Sequence, residues 1–289
     1  MNRPEEYFVF ISILIVLAIL AAGCTSGAEE ARGTIKVTVT ILPQKEFVES
    51  VGGDRVDVFV LVPPGASPHS YEPTPSDIAG VSESDVYVVM GSGIEFELLW
   101  LEKIKELNPG MTVIDSSEGV SLISDGGVSD PHIWLSPENA ITIAGNIRDG
   151  LAGLDPENAE YYRENAGAYM ADLGELDDEI SEEIGSSGVK VIMVSHPAWS
   201  YYAREYGLEQ IAIAEGGKEP SPAGIKKLID EAVANDVKVI FVSPEFSEEN
   251  ARAIADEIGG SVAVADPLAE DYLENMREVS AAFSGGKAS

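Results

Sequence analysis

The sequence has few of the residues that build the common metal and redox sites of proteins. Its 289 residues include one cysteine and three histidines. A single cysteine excludes an intramolecular disulfide and any Cys-x-x-Cys zinc or redox motif, so the hydrophobic core must hold the fold. The His-Glu-x-x-His motif of zinc proteases is also absent. Any site that uses the three histidines must therefore be assembled by the tertiary fold.

Basic residues are scarce as well. The chain carries 18 Lys and Arg against 50 Asp and Glu, which gives a formal net charge of -32. Because binding to phosphate backbones needs a basic surface, we expect no nucleic acid partner. We interpret the acidity as a solvated surface. The alternative interpretation is that the negative electrostatic potential of these acids concentrates cations near the protein.

Long hydrophobic runs are limited to one segment, residues 8–22. This run is shorter than the roughly 20 apolar residues that a transmembrane helix needs, and it fits the apolar region of a secretory signal. Leu20-Ala21-Ala22-Gly23 directly precedes Cys24 and resembles a lipobox. Residues 1–24 are therefore predicted to be a lipoprotein-type signal peptide. Residues 25–33, which are small and polar, are predicted to be a flexible tether.

Lipid on Cys24 would anchor the chain to the outer face of the cytoplasmic membrane. The alternative is an uncleaved N-terminal anchor that ends in an incidental cysteine. Both interpretations place the rest of the chain outside the cytoplasmic membrane.

From residue 34 onward, short β-branched runs alternate with helical segments. This alternation predicts an α/β fold with two lobes, residues 34–153 and 188–289, each built on a mostly parallel sheet. Between the lobes, apolar residues at helical spacing predict one long linking helix within residues 154–187. A helix of nearly 30 residues would be roughly 40 Å long, enough to extend across both lobes.

The three histidines share one sequence context. His69, His132 and His196 each lie beside a proline, as does Asp266. Each follows a predicted strand or lies in a loop close to one, and open α/β sheets bind ligands beyond the carboxyl ends of their strands. Three imidazoles and one carboxylate suit a tetrahedral zinc ion between the lobes. Asp266 could instead be only a helix cap, because Pro267 follows it.

Four segments around these residues match a known family. The chain resembles, over essentially its whole length, the zinc/manganese solute-binding lipoproteins of ABC transporters. The segment Leu154–Tyr162 is similar to the start of the linking helix of that family. The four ligand segments are Pro68-His69-Ser70-Tyr71-Glu72-Pro73, Asp130-Pro131-His132-Ile133-Trp134, Ser195-His196-Pro197-Ala198-Trp199 and Ala265-Asp266-Pro267-Leu268.

The resemblance implies two lobes that move little, joined by a rigid helix, with a metal buried between them. It implies that His69, His132, His196 and Asp266 bind the metal. The implied action is capture of zinc and delivery to a membrane permease driven by a cytoplasmic ATPase, without catalysis. Relatives with glutamate at the position of His196 tend to bind manganese, so histidine there favours zinc. Manganese or iron remains open, and we expect a monomer.

Several positions depart from the usual pattern of the family. Ser67 stands where an acid is common, Ser136 where an aspartate is common, and Ser243-Pro244-Glu245 where Glu-Pro-Gln is frequent. The segment Ser116–Ser129 has no histidine, so a metal-collecting loop is absent or relies on Asp125. These departures put metal affinity and selectivity in question more than metal binding itself.

Two functions from other classes are alternatives. A secreted zinc hydrolase would need a general base beside the metal, for which Glu215, Glu219 and Glu245 are candidates. A surface adhesin is the second alternative, because some members of the family are credited with that role.

Overall fold

The computed structural model describes residues 33–214 and 218–285. Its first lobe is built on a four-stranded sheet of β1 (Ile35–Val39), β2 (Val56–Val60), β3 (Val86–Val89) and β4 (Thr112–Asp115). The strand order is β2-β1-β3-β4, and all three pairs are parallel. A short antiparallel hairpin, β5 (Ser124–Asp125) and β6 (Val128–Ser129), follows and was not predicted from the sequence.

The second lobe repeats this plan with β7 (Val191–Val194), β8 (Glu209–Ala212), β9 (Val239–Val242) and β10 (Ser261–Val264). The order β10-β9-β7-β8 is parallel throughout. In each sheet the first and third strands of the lobe are neighbours, which creates a switch point where ligands bind in folds of this class. The predicted α/β fold with two mostly parallel sheets is confirmed.

Helices alternate with the strands, and three of them begin with the same chemistry. Thr74, Ser136 and Ser221 each accept a hydrogen bond from a backbone N–H of the first turn, and a proline follows each of them. The helices are α1 (Leu42–Gly52), α2 (Pro75–Ser82), α3 (Glu95–Leu107), α4 (Pro137–Leu154), α5 (Ala159–Ser187), α6 (Ser200–Tyr206), α7 (Pro222–Ala234), α8 (Glu249–Ile258) and α9 (Tyr272–Phe283).

The long linking helix is α5. Its 29 residues make it roughly 43 Å long. Gly188 ends it in a left-handed conformation that glycine adopts without strain. One face of α5 is buried along its whole length, through Tyr162, Ala166, Tyr169, Leu173, Leu176, Ile180 and Ile184. The helical spacing of apolar residues in the sequence predicted this face.

A single hydrophobic core connects the two sheets. The same cluster of buried side chains includes Val37 of β1 and Phe241 of β9. Buried hydrogen bonds also cross between the lobes: the Trp134 indole N–H donates to Pro267 O over 2.7 Å, and the Tyr272 hydroxyl donates to Trp134 O over 2.8 Å. These contacts support the expectation that the lobes move little. Both that expectation and the predicted lobe boundaries stay predictions.

The predicted signal peptide, Cys24 and all of the predicted tether except Gly33 lie outside the described residues. Within the part of the chain that the structure covers, no helix combines the length and apolarity needed to cross a membrane.

A partly buried carboxyl group, that of Glu205, lies where α5, α6 and the start of α4 meet. Glu205 of α6 is partly buried, and its Oε2 has no hydrogen-bond partner among the described residues. Burial raises the pKa of Glu205, and the negative charges of Asp177 and Glu138 raise it further. The folded state therefore binds the Glu205 proton more tightly than the unfolded state. Its stabilising contribution is complete at low pH and is lost as the carboxyl ionises.

We expect Glu205→Gln to raise the free energy of unfolding by about 1–2 kcal/mol at pH 8 and by little at pH 4, because the amide has no charge to bury. Urea denaturation at both pH values measures this difference. Glu209→Gln, at an exposed position on β8, is the control and should be neutral at both. An equal gain for Glu205→Gln at the two pH values would contradict the assignment.

Candidate metal centre

The structure brings the three histidines together. The Nε2 atom of His196 lies 3.2 Å from Nε2 of His69 and 3.2 Å from Nε2 of His132. All three ring ligand atoms lie within 4.8 Å of one another. Two ligands of a tetrahedral zinc ion, each about 2.0–2.1 Å from the metal, are about 3.3 Å apart. The two pairs that include His196 therefore have the spacing that a tetrahedral metal requires, and the third pair lies within 4.8 Å.

Each imidazole is placed by the end of a strand or the start of a helix. His69 lies in the turn after β2, where the N–H groups of Ser70 and Tyr71 donate to Ser67 O. His132 begins a 3-10 turn, Ile133–Leu135, that leads into α4. His196 follows β7 at the switch point of the second sheet. Residues far apart in the sequence meet because the carboxyl ends of the strands face the space between the lobes.

Two carboxylates orient two of the rings. The distance from Glu95 Oε2 to His69 Nδ1 is 2.6 Å, and the distance from Asp130 Oδ1 to His132 Nδ1 is 2.8 Å. Each carboxylate accepts the Nδ1 proton, which leaves Nε2 with a lone pair that points toward the other histidines. Asp130 also accepts the backbone N–H of His132. The contacts with Glu95 and Asp130 thus orient the rings of His69 and His132 so that their Nε2 atoms can bind a cation.

Electrostatics keep the two carboxylates ionised and the third imidazole, His196, neutral near neutral pH. Burial acts to raise the pKa of Asp130 and of Glu95, but the contacts with His132 and His69 outweigh it, so both pKa values are lowered. Burial, together with the charges of His132 and His69, lowers the pKa of His196 to about 3. A neutral imidazole is the form that binds a metal. His196 is therefore ready to bind a metal near neutral pH.

The cavity beside the histidines is small and mostly apolar. Its volume is about 10 Å³, roughly the space of one water molecule or one ion. The Phe246 ring stacks on His196 with centroids 4.6 Å apart and an interplanar angle of 24°. Trp134 packs against His132 with centroids 5.3 Å apart. These rings exclude water and strengthen any electrostatic interaction with a bound cation.

Asp266 stands apart from the three histidines. It follows β10, but it is not a member of the group of ligand atoms that lie within 4.8 Å of one another. Its Oδ1 accepts the backbone N–H of Leu268 over 2.7 Å in the turn after β10, and because α9 begins only at Tyr272, this contact is not a helix cap. Burial raises the pKa of Asp266. The carboxylate lines a neighbouring acidic cleft of about 460 Å³.

Glu245 connects the cleft and the histidine cavity, because it lines both. It follows β9 at the switch point, beside His196. Burial, with a further contribution from the charge of Asp266, raises the pKa of Glu245 to about 7. Of the other candidate bases, Glu219 pairs with the Asn250 amide and lines a different cleft. Glu215 lies outside the described residues.

The three serine departures take part in backbone contacts. Ser67 Oγ accepts the N–H of His69 over 3.4 Å. Ser136 caps α4, and the N–H of Ser243 donates to Ser195 Oγ over 3.1 Å, which joins the ends of β9 and β7. The side chain of Asp125 lies outside the described part of the structure. Each serine therefore shapes the backbone close to a histidine.

Sequence reasoning missed Glu95 and did not assign a role to Asp130. The Asp-Pro-His spacing could have identified Asp130, because a carboxylate two residues before a histidine can reach its Nδ1. No local signal marks Glu95, which is 26 residues from His69 and reaches it only through the fold.

Comparison with known proteins places this geometry in a family. The model of the ZnuA family, "Zinc-uptake complex component A periplasmic", matches residues 37–286. The manganese-binding lipoprotein MntA of Halalkalibacterium halodurans is 30% identical over 298 residues, covering 96% of this chain and 97% of MntA. The high-affinity zinc uptake system protein ZnuA of Bacillus subtilis is 32% identical over 281 residues, covering 90% of this chain and 87% of that protein.

Solved structures agree with the sequence comparisons. A crystal structure of ZnuA is 41% identical in sequence and superimposes with a TM-score of 0.85, covering 88% of this chain and 99% of that one. The chain belongs to the ZnuA family of metal-binding, solute-binding components of ABC importers.

Proposed function

We propose that this protein captures zinc outside the cytoplasmic membrane and delivers it to the permease of an ABC importer. The observation that carries the proposal is the convergence of the Nε2 atoms of His69, His132 and His196, with neighbouring contacts of 3.2 Å. Three such nitrogens form a set of donors for one cation, because His69 and His132, whose Nδ1 atoms contact carboxylates, direct Nε2 lone pairs toward His196 in the same small cavity. The cavity of about 10 Å³ supports capture of an ion over hydrolysis of a substrate.

The proposed ligands are the three imidazoles and the carboxylate of Asp266. Asp266 uses Oδ1 to bind the N–H of Leu268. It would therefore approach the metal through Oδ2 or after a change of side-chain rotamer. One carboxylate and three neutral imidazoles around a divalent ion leave one positive charge at the site.

Zinc is favoured over manganese by ligand chemistry. Relatives carry both names, since ZnuA of Bacillus subtilis belongs to a zinc uptake system and MntA is described as manganese-binding. A set of three imidazoles suits zinc, and the first-row affinity order places manganese well below it.

Delivery requires partners and an anchor outside the described residues. The proposed partner is a membrane permease with a cytoplasmic ATPase behind it. Lipid on Cys24 would hold the protein on the outer face of the cytoplasmic membrane, where it would act as a monomer. A continuous core under both lobes would present the loaded site to the permease on a stiff body.

Metal titration tests the proposal directly. Protein purified without added metal is analysed for its elements, stripped with a chelator, and titrated with zinc and with manganese. We expect one zinc per chain and an affinity for zinc at least about 100-fold higher than for manganese. Equal affinity for the two metals would contradict the choice of zinc, and failure to bind either would contradict the proposed function.

A further inference from the structure

We propose that Glu245 binds the captured metal directly, as a second carboxylate of the site. This inference rests on the proposed function and deepens it. The three histidines and Glu245 line the same cavity of about 10 Å³, whereas Asp266 lines the adjoining cleft. Glu245, like Asp266, is not one of the residues whose ligand atoms lie within 4.8 Å of one another, so its carboxylate would reach an ion among the imidazoles through a change of side-chain rotamer.

The backbone holds Glu245 at this position. The N–H of Ser243 donates to Ser195 Oγ, and the N–H of Phe246 donates to Ser243 O over 3.1 Å, so a tight turn follows β9. Phe246 then stacks on His196, which fixes the turn against a ligand of the metal. Glu245 lies between these two anchors. The switch point of the second sheet thus presents a carboxylate as well as an imidazole.

One oxygen of the Glu245 carboxylate lacks a partner among the described residues, although the carboxylate accepts a hydrogen bond from its own backbone N–H. The oxygen without a partner is Oε2, which is buried. A buried polar atom without a partner is costly, and a buried charge is normally paired or bound to a metal. A cation among the three histidines would supply the missing partner.

Charge balance supports the same conclusion. A divalent ion with three neutral imidazoles and Asp266 keeps one positive charge in an apolar cavity lined by Ile94, Trp134 and Phe246. A second carboxylate makes the metal and its direct ligands neutral together, while Glu95 and Asp130 place their negative charges one contact further out.

Glu245→Gln tests the inference, because the amide keeps the shape and loses the charge. Zinc affinity is measured by competition with a chelating dye, and the coordination of Co²⁺ is read from its visible absorption bands. We expect zinc affinity to fall at least tenfold and the Co²⁺ spectrum to change. Without metal, the variant should melt no lower than the wild type, since the substitution removes a buried charge.

Glu270→Gln is the matched control. Glu270 lines the same acidic cleft but not the histidine cavity, so its substitution changes the field near the site without touching the metal. An unchanged Co²⁺ spectrum in Glu245→Gln, or a loss of zinc affinity no larger than in Glu270→Gln, overturns direct binding while wild-type zinc binding stands. If the wild type itself binds no zinc, the proposed function fails instead, and this inference with it.

Discussion

Replacing His132 by alanine is expected to abolish most of the thermal stabilisation that zinc confers on this protein. A ligand at 1,000 times its Kd stabilises the folded state by about 4 kcal/mol, which corresponds to a rise in Tm of about 10 °C for a chain of this size. His132 is the most enclosed of the three proposed ligands, with only 6% of its surface exposed. Without its Nε2, the remaining nitrogens cannot enclose the ion.

The measurement is a pair of melting curves for each protein, one with excess zinc and one with a chelator. We expect the zinc-dependent rise to fall to about 3 °C or less in His132→Ala. The zinc-free curve of each protein is its control, because the substitution also leaves a small cavity that lowers stability without zinc. A matched control at another histidine is not possible, because the chain has no histidine beyond these three. A variant that retains the full zinc-dependent rise would show that His132 does not bind the metal.

Much of the fold could be predicted because its signals are local. The strands and helices alternate as the sequence predicts, and the buried face of α5 follows the apolar spacing of the chain. The last helix, α9, begins only at Tyr272, and the residues before it form an irregular turn in which Asp266 accepts the N–H of Leu268. The hairpin of β5 and β6 is too short to produce a recognisable pattern.

The candidate site was predictable to the extent that rare residues marked it. The chain has three histidines, and all three meet at one place. The carboxylates were harder, because acidic residues are abundant and only the fold selects among them. Glu95 reaches His69 from the first turn of α3, and Glu245 lines the cavity from the turn after β9. Neither the contact of Glu95 with His69 nor the place of Glu245 in the cavity could be inferred from the spacing of these residues in the sequence.

The first lobe depends on a buried carboxylate that the sequence did not distinguish from its neighbours. Glu97 lies at the switch point of the first sheet and is only 5% exposed. It accepts hydrogen bonds from the Thr40 hydroxyl over 2.5 Å, from Met90 N over 2.7 Å and from Gly91 N over 2.9 Å. One side chain therefore joins the ends of β1 and β3 to the first turn of α3, where Glu95 orients His69.

We expect Glu97→Ala to lower the free energy of unfolding by about 3–5 kcal/mol, because it leaves two buried N–H groups without an acceptor and creates a cavity. Chemical denaturation of the zinc-free protein measures the loss. Glu102→Ala on the same helix is the control: its carboxylate is 82% exposed and pairs with Lys105, so a change within about 0.5 kcal/mol is expected.

Glu97→Ala should also weaken zinc binding. The first turn of α3, which Glu97 holds in place, carries Glu95, and Glu95 lies 2.6 Å from His69 Nδ1. Glu97→Gln separates the two effects. Its amide can satisfy one backbone N–H but directs its own N–H₂ group toward the other, so an intermediate loss of stability is expected. If Glu97→Ala unfolds no more easily than Glu102→Ala, the Glu97 carboxylate does not hold the first lobe together. The position of Glu95 beside His69 must then depend on other contacts, such as the hydrogen bond from Phe96 N to Pro68 O.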